Sequence, residues 1–285
     1  MIKIFSADEQ YRESIISLWQ EAFGDSEEYI SFFLDECPSY DIVGYFIDNR
    51  LISMFFLLEG TIKNYKCKYL YAACTAAEHR KKGIMEKLIS FARNYCDDNG
   101  YDGIFLVPAN EKLYSYYSKF GFIPSFKKSV IRLNSCDFKN LNPEIKNQFE
   151  TEQIVNAKIS ILEKLESFCF ERKTLEYTIK EHLFNGGKVF YNNDNDSQTL
   201  VFYHTSDDII TVKEYLNSDN EFEPDYCKQI LNNNAHNVYI LCPLVYNRED
   251  IVEEYAKCGM CLPLNSIFEA YIRSNTTIYA GMYLD

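Results

Sequence analysis

The feature that most constrains the fold is a strand that leads through a cationic, glycine-containing loop into an amphipathic helix. The strand is YKCKYLYAACT, and the helix GIMEKLISFARNYCDDNG places Ile84, Leu88 and Ala92 on one side. The loop between them holds three consecutive cations and Gly83. A buried strand followed by a helix with one apolar side predicts an α/β arrangement in which the helix packs on a sheet.

The order of the neighbouring elements extends this prediction. Residues 1–133 read as strand, two helices, three strands, helix, strand, helix and strand, with Ser26 and Asn110 as helix caps. The sequence therefore predicts a mixed, mostly antiparallel sheet flanked by helices. Residues 134–150 break the pattern and are predicted to be a linker to a second domain, residues 151–285.

The second domain is predicted to repeat the order of the first. Two helices and three strands precede a helix in EPDYCKQILNNN and a strand in NVYILCP; a helix in REDIVEEYAKCG and strands in SIFEAYIRS and TIYAGMYL follow. A short echo supports duplication, because YSKFGFIP at 117–124 resembles YAKCGMCLP at 255–263. We interpret each as the point where a helix runs into a strand.

The loop has the properties of an anion site. The first N–H groups of a helix lack internal partners, and the helix dipole adds partial positive charge there. Gly83 has no side chain, so a ligand can lie close to the backbone. A pyrophosphate fits these properties. The alternative is an ordinary helix start with solvated cations.

Two motifs resemble the signatures of the GNAT superfamily of acyl-CoA-dependent N-acyltransferases. HRKKGIM resembles R-x-x-G-x-G/A, although Met85 stands at the last glycine. NEKLYSYYSKFGF resembles N-x-x-A-x-x-x-Y-x-x-x-G-F, with Leu113 at the alanine. The tandem layout is similar to the enhanced-intracellular-survival (Eis) type of acetyltransferase, which adds a third, sterol-carrier-like domain. At 285 residues, we expect this chain to contain the first two domains only.

The resemblance implies a fold of tandem GNAT-like domains and a site for acetyl-CoA in residues 1–133. It implies that Tyr117 is the general acid that protonates the departing thiolate; the alternative is a packed helix tyrosine. The backbone of Ala73 and Thr75 would pair with the pantetheine arm. The implied pyrophosphate loop, with the second signature's first residue, comprises Arg80, Lys81, Lys82, Gly83, Ile84, Met85 and Asn110.

The base that removes the amine proton is left open. Glu78, His79 and Glu111 are loop candidates, and none matches a family position. In Eis-type proteins the C-terminal carboxylate serves, which implies Asp285 here.

Charge separates the two halves. Residues 1–149 carry 18 basic and 20 acidic side chains, whereas residues 150–285 carry 11 and 22. This surface disfavours nucleic acid and favours a cationic substrate, although it also fits simple solubility. Acidic residues stand in the second domain where the first has its loop, so we expect no coenzyme A there: Asp219, Glu221, Glu223 and Asp225. We expect that domain to wall the acceptor cleft.

Location and metals follow from composition. Ten cysteines without framework spacing, no apolar run of membrane length and no signal-peptide pattern predict a cytoplasmic protein without membrane partners. The lone pair in CGMC, 258–261, lacks a partner pair, so we expect no metal and a structural role at a turn.

The predicted function is therefore transfer of an acetyl group from acetyl-CoA to a primary amine of a cationic small molecule or a lysine. One alternative is a non-catalytic acyl-CoA-binding module or sensor. Another is a structural tandem fold that has lost the cofactor. An oligomer is compatible with the aromatic content.

Overall fold

A computed structural model describes residues 1–134, 149–194, 197–206, 209–219, 221–222, 237–243, 252–275, 278–281 and 284. The chain divides into two compact units. The first comprises Met1–Pro124 and Gly259–Ser274, and the second comprises Ser125–Cys258 and Asn275–Asp285. Within the described helices, none combines the length and apolar character needed to cross a bilayer.

The first unit is a mixed sheet with helices. In chain order its elements are β1 (Ile2–Phe5), α1 (Glu9–Phe23), α2 (Glu27–Glu36), β2 (Asp41–Ile47), β3 (Arg50–Ile62), β4 (Tyr65–Thr75), a 3-10 turn (Ala77–His79), α3 (Ile84–Asp98), β5 (Gly103–Leu106) and α4 (Glu111–Ser118). Strands β1 to β5 pair in that order, antiparallel except for the parallel β4–β5 pair. Residues Met260–Pro263, from much later in the chain, pair antiparallel with β5.

Neighbouring residues on a strand face opposite sides of this sheet, which explains its two cores. Phe56 and Tyr71 pack with Trp19 of α1, with ring centroids 5.3 and 5.6 Å away. Phe55 and Leu70 belong instead to a cluster with the buried face of α3 and with Tyr114 and Tyr117 of α4. Both faces of the central strands are therefore buried, and α3 is held against the sheet at the end of β4.

The second unit has the same pattern of pairing. Its elements are β6 (Ile123–Asn134, from Ser125 onward), α5 (Thr151–Lys164), β7 (Phe168–Phe170), α6 (Arg172–Phe184), β8 (Lys188–Asp194), β9 (Ser197–Ser206), β10 (Ile209–Asn217) and β11 (Asn237–Cys242). The order β6-β11-β10-β9-β8 is antiparallel except for the parallel β10–β11 pair.

Two helices, an antiparallel three-stranded run and then a parallel strand thus occur in both units. The fold class predicted from the sequence, tandem mixed α/β domains with mostly antiparallel sheets, is confirmed. The division at residues 134–150 remains a prediction, since residues 135–148 lie outside the described part. The predicted domains are each continuous in sequence, whereas the first compact unit also includes residues 259–274.

Three element predictions in the second half are wrong. Strand β12 (Val252–Pro263) occupies most of the predicted helix REDIVEEYAKCG, and α7 (Ser266–Ser274) occupies the predicted strand SIFEAYIRS. The described part of TIYAGMYL forms isolated bridges at Ile278 and Tyr279 rather than a strand. The predicted helix EPDYCKQILNNN lies outside the described residues.

The predicted equivalence of the two echo segments and the predicted turn at CGMC are both wrong, because β12 includes residues 255–263. Residues 255–263 lie within β12, whereas residues 117–124 run from α4 into β6, so the two echo segments are not structurally equivalent. Cys258 and Cys261 are buried strand residues rather than turn residues. Each of the eight cysteines in the described part is a free thiol.

Candidate active site

Where the loop after β4 leads into α3, the helix start exposes backbone N–H groups and has no capping side chain. Lys81 and Gly83 have left-handed backbones, with φ of 62° and 72°. Gly83 is the N-cap residue, and no side chain caps the helix. Ile84, Leu88, Ile89, Ala92 and Cys96 anchor α3 by their burial. The first N–H groups of α3 are thus fixed in place and remain without a side-chain cap, as an anion site requires.

The end of β4 carries a bulge that the sequence did not reveal. Met54 pairs with Cys74 and Phe56 pairs with Tyr71, so Ala72 and Ala73 together stand opposite Phe55. Ala72 has a left-handed backbone, with φ of 49°. The register of β4 with β5 covers only Cys67–Tyr69, so the bulge lies beyond the paired stretch. Bulges redirect backbone groups and side chains, and they are frequent beside active sites.

A cleft of about 590 Å³ connects the bulge, the loop and α4. Eight of the ten predicted site residues line it: Ala73, Thr75, Arg80, Lys81, Gly83, Ile84, Met85 and Tyr117. Lys82 and Asn110 are not among the lining residues. The side chain of Asn110 caps α4 instead, since its Oδ1 accepts the Leu113 N–H at 3.2 Å. The remaining lining residues include Leu113, Tyr116, Lys119 and Phe120, which had not been predicted.

Tyr117 combines burial with access to the cleft. It is 8% exposed and packs edge-on against Phe122, with ring centroids 5.6 Å apart. Burial, with a smaller contribution from Tyr116, raises the pKa of Tyr117 well above its usual value. The phenol therefore keeps its proton throughout the neutral range, as a general acid must.

Arg80 bends back toward the strand end. Its Nε donates to the Thr75 carbonyl at 2.8 Å. The loop's exposed charges also include a carboxylate, because Glu86 stands in the first turn of α3 and lines the cleft. Lys81 and Lys82 add their positive charges to that of Arg80 at this loop.

The structure distinguishes the candidate bases by position. His79 lines the cleft, with its Nε2 3.8 Å from Glu78 Oε1. Glu78 lines a separate cleft of about 390 Å³ beside α1. Glu111 is exposed in the first turn of α4 and is not among the lining residues. Asp285 lies outside the described residues.

No group of three or more His, Cys, Asp or Glu side chains within the described ranges is arranged to hold a metal ion. Residues that sequence reasoning missed include Ala72 and Ser53. An alanine in a left-handed conformation has no sequence signal, and a single buried serine in a strand has none either.

Comparisons with known proteins bear on this geometry. Residues 3–124 match the family model described as "Acetyltransferase (GNAT) domain". No curated protein sequence matches the chain.

Solved structures show the same fold along most of the chain. A conserved protein of unknown function from Enterococcus faecalis V583, described as a probable N-acyltransferase, has a TM-score of 0.69 and 12% identity, covering 92% of this chain and 72% of that one. Eis1 from Mycobacterium abscessus has a TM-score of 0.67 and 10% identity, covering 93% and 74%. A tandem GNAT protein from the clavulanic acid biosynthesis pathway has a TM-score of 0.54 and 9% identity, covering 93% and 99%.

Residues 3–124 therefore resemble a GNAT acetyltransferase domain, and the chain has the fold seen in tandem GNAT proteins. The resemblance to tandem GNAT acetyltransferases that the two motifs predicted is confirmed. The identities are too low to carry a substrate from these proteins to this one.

Proposed function

We propose that this chain moves an acetyl group from acetyl-CoA to a primary amine on a cationic small molecule or a lysine. The observation that carries the proposal is that one cleft brings together the bulged end of β4, the uncapped start of α3 and the buried phenol of Tyr117. Acetyl-CoA is the cosubstrate typical of GNAT domains, and it has a group for each of these three features.

The loop suits the diphosphate of acetyl-CoA. The N–H groups from Gly83, Ile84 and Met85 start α3 without a side-chain cap, and Arg80, Lys81 and Lys82 add positive charge. Met85 differs from the family glycine, but its N–H remains a donor. An alanine Cβ at Gly83 would meet only Glu86 Oε2, at 3.7 Å, so space and backbone conformation both favour close approach of a ligand.

The free edge of β4 suits the pantetheine arm. Beyond Tyr69 the register with β5 ends, and among the described residues no other strand pairs with this side of β4 as it continues through Ala73 to Thr75 along the cleft. An amide-bearing chain laid beside Ala73 and Thr75 would extend the sheet by backbone hydrogen bonds, as peptides do at sheet edges. The bulge would then turn backbone groups of Ala72 and Ala73 toward the thioester.

The reaction requires only two ordered bond changes. The neutral amine forms a C–N bond with the thioester carbonyl carbon, and the C–S bond breaks when the tetrahedral intermediate collapses. The thiolate takes the proton of the Tyr117 hydroxyl, and the proton lost by the amine goes to a base or water. Water then returns a proton to the Tyr117 phenolate before the next turnover. Most of the acceleration comes from holding the two substrates together.

A cationic acceptor is supported by charge. The net charge is −13, and most of the excess lies in residues 150–285. Amines are cations before they react, so an acidic protein concentrates them nearby. The amine must lose a proton to attack; His79 is the candidate base that lines the cleft.

Cofactor binding is proposed for the first unit alone. In the first unit the cationic loop follows β4. In the second unit Asp219 and Glu221 follow β10 instead, and carboxylates at that place would oppose a diphosphate. Glu223 and Asp225 lie outside the described residues. The cytoplasmic location and the wall of the acceptor cleft remain predictions.

Two measurements separate the candidate functions. Titration calorimetry with acetyl-CoA is expected to show one site per chain, and no heat at millimolar ligand would favour a structural tandem fold. Thiol release from acetyl-CoA, measured across polyamines, aminoglycosides and lysine peptides, is expected to depend on one amine class. Binding without amine-dependent thiol from any acceptor would instead favour the acyl-CoA-binding module.

A further inference from the structure

We infer that Ser53, a buried serine of β3 outside the cleft, is a positioning residue that holds the cofactor-binding end of β4 in its active shape. The inference rests on the proposed function, since it assigns the residue to acetyl-CoA binding. Ser53 is 0% exposed, and its Oγ lies 2.7 Å from both the Cys74 carbonyl oxygen and the Thr75 Oγ1.

The proton count fixes the direction of these two hydrogen bonds. A hydroxyl has one proton, and the Cys74 carbonyl can only accept, so Ser53 donates to Cys74. Ser53 then accepts the proton of the Thr75 hydroxyl. One side chain therefore fixes the Cys74 carbonyl and the Thr75 rotamer together, and it turns the Thr75 hydroxyl toward β3.

The position of Ser53 explains why this matters. The bulge at Ala72 and Ala73 interrupts the β3–β4 register, and only two pairs follow it, Met54 with Cys74 and Ser53 with Thr75. One further backbone bond follows, from the Ala76 N–H to the Ile52 carbonyl at 2.9 Å, so the ladder after the bulge is short. The buried Ser53 hydroxyl adds two side-chain bonds where the strand faces the cleft.

Thr75 transmits this constraint to the loop. Its carbonyl accepts the Arg80 Nε–H at 2.8 Å, and both residues line the cleft. On the far side of Thr75, the Ala77 N–H donates to Glu21 Oε1 of α1 at 2.6 Å. Ser53 and Glu21 thus hold the chain on either side of Ala76, immediately before the loop that would bind the diphosphate.

The test compares Ser53→Ala with Ser167→Ala. Ser167 is a matched control because it is also buried, at 4% exposed, and donates to a backbone carbonyl, Leu162 O at 3.0 Å, in the second unit. Each variant loses one buried hydroxyl, so both are expected to unfold at lower urea concentration. Since one such hydrogen bond changes an equilibrium by roughly five- to tenfold, Ser53→Ala should raise the Kd for coenzyme A and the KM for acetyl-CoA by about that factor. Ser167→Ala should leave both within about twofold, and the KM for the amine should change in neither.

Hydrogen exchange of the ligand-free protein gives a readout that does not depend on cofactor binding. The amides of residues 75–83 are expected to exchange faster in Ser53→Ala and at the wild-type rate in Ser167→Ala. If Ser53→Ala does not fold, Thr75→Val and Thr75→Ser provide the test. Thr75→Ser should bind coenzyme A more tightly than Thr75→Val does, because only the serine keeps a hydroxyl that donates to Ser53.

The outcomes separate the two proposals. Unchanged exchange and unchanged Kd in Ser53→Ala, with a loss of stability equal to that of Ser167→Ala, would overturn the positioning role while leaving the acetyltransferase proposal standing. Failure of the wild-type protein to bind coenzyme A would overturn the proposed function, and with it the role of Ser53 in cofactor binding. Faster exchange together with weaker binding would support both.

Discussion

In the second unit, Lys158 Nζ lies 2.6 Å from Glu214 Oε2, and both side chains are at most 1% exposed. Tyr279 donates its hydroxyl to Glu214 Oε1 at 3.1 Å. Glu214 directly follows a register shift in β10, which pairs antiparallel with β9 and parallel with β11. Strand β4, the equivalent strand of the first unit, has its bulge at Ala72 and Ala73, and these small residues lie beside an open cleft. Strand β10 has a buried ion pair beside its register shift instead. This difference accords with cofactor binding in the first unit alone.

Glu214→Gln is expected to destabilise the protein strongly. It leaves the Lys158 ammonium buried without its counter-charge, and breaking a buried pair in this way typically costs about 3–5 kcal/mol. Urea unfolding followed by fluorescence measures the loss.

The control is Glu176→Gln, which breaks the exposed pair of Lys180 and Glu176, 3.4 Å apart. Exposed pairs contribute roughly 0–1 kcal/mol, so this variant should resemble the wild type. Equal small losses in the two variants would show that the buried pair is not what holds this part of the second unit.

His182 is expected to make stability depend on pH. Burial is the main cause that lowers its pKa from 6.5 to about 4, and His204, Lys158 and Lys213 lower it further, while a hydrogen bond to the Lys188 carbonyl opposes them. The unfolded chain therefore binds more protons than the native one between these values, so this contribution falls as pH drops below about 6.5.

The linkage relation puts the loss at about 2 kcal/mol between pH 7.5 and pH 5. Unfolding at both pH values in the wild type and in His182→Gln checks it. The variant should lose less stability over this interval by about that amount, and an identical pH dependence in both would rule out His182 as the source.

The part of the site that follows from local chemistry was predictable. Gly83 at the start of α3 and Asn110 at the start of α4 are helix signals that depend on one residue and its neighbours, and both helices begin there. The bulge at Ala72 depends on how β3 pairs with β4, and Ser53 acquires its role only from that pairing. Neither can be inferred from sequence spacing.

The errors in the second half have a similar cause. β12 is a strand because Met260–Pro263 pairs with β5, and this tertiary pairing overrides the helical tendency of residues such as Glu253 and Lys257. For α7 the signal was present and misinterpreted. Asn265 accepts the Phe268 N–H at 2.8 Å as a cap, and the buried Phe268 and Ile272 are four residues apart, as on one side of a helix.

Gly83→Asp is expected to abolish coenzyme A binding, raising the Kd at least a hundredfold, because a carboxylate would face the diphosphate at the helix start. Calorimetry measures the Kd. Gly100→Ala is the control for backbone strain, because Gly100 ends the α3 segment with a φ of 74° and has no atom within 4 Å of an added Cβ. It should lose about 1 kcal/mol of stability and no affinity. Unchanged affinity in Gly83→Asp would mean that the loop does not bind the diphosphate.

Tyr117→Phe is expected to lower kcat by about 10²–10⁴, the usual contribution of a positioned general acid, with little change in the KM for acetyl-CoA. Thiol release under saturating acceptor measures the change. Tyr114→Phe is the control, because Tyr114 is equally buried in α4 but does not line the cleft, and it should keep kcat within about twofold. The pKa of Tyr117 lies above its usual range, so wild-type kcat should not fall between pH 7 and pH 9.5 through loss of the phenol proton. A Tyr117→Phe enzyme with wild-type kcat would show that solvent protonates the thiolate, and the phenol would then be a packing residue of α4.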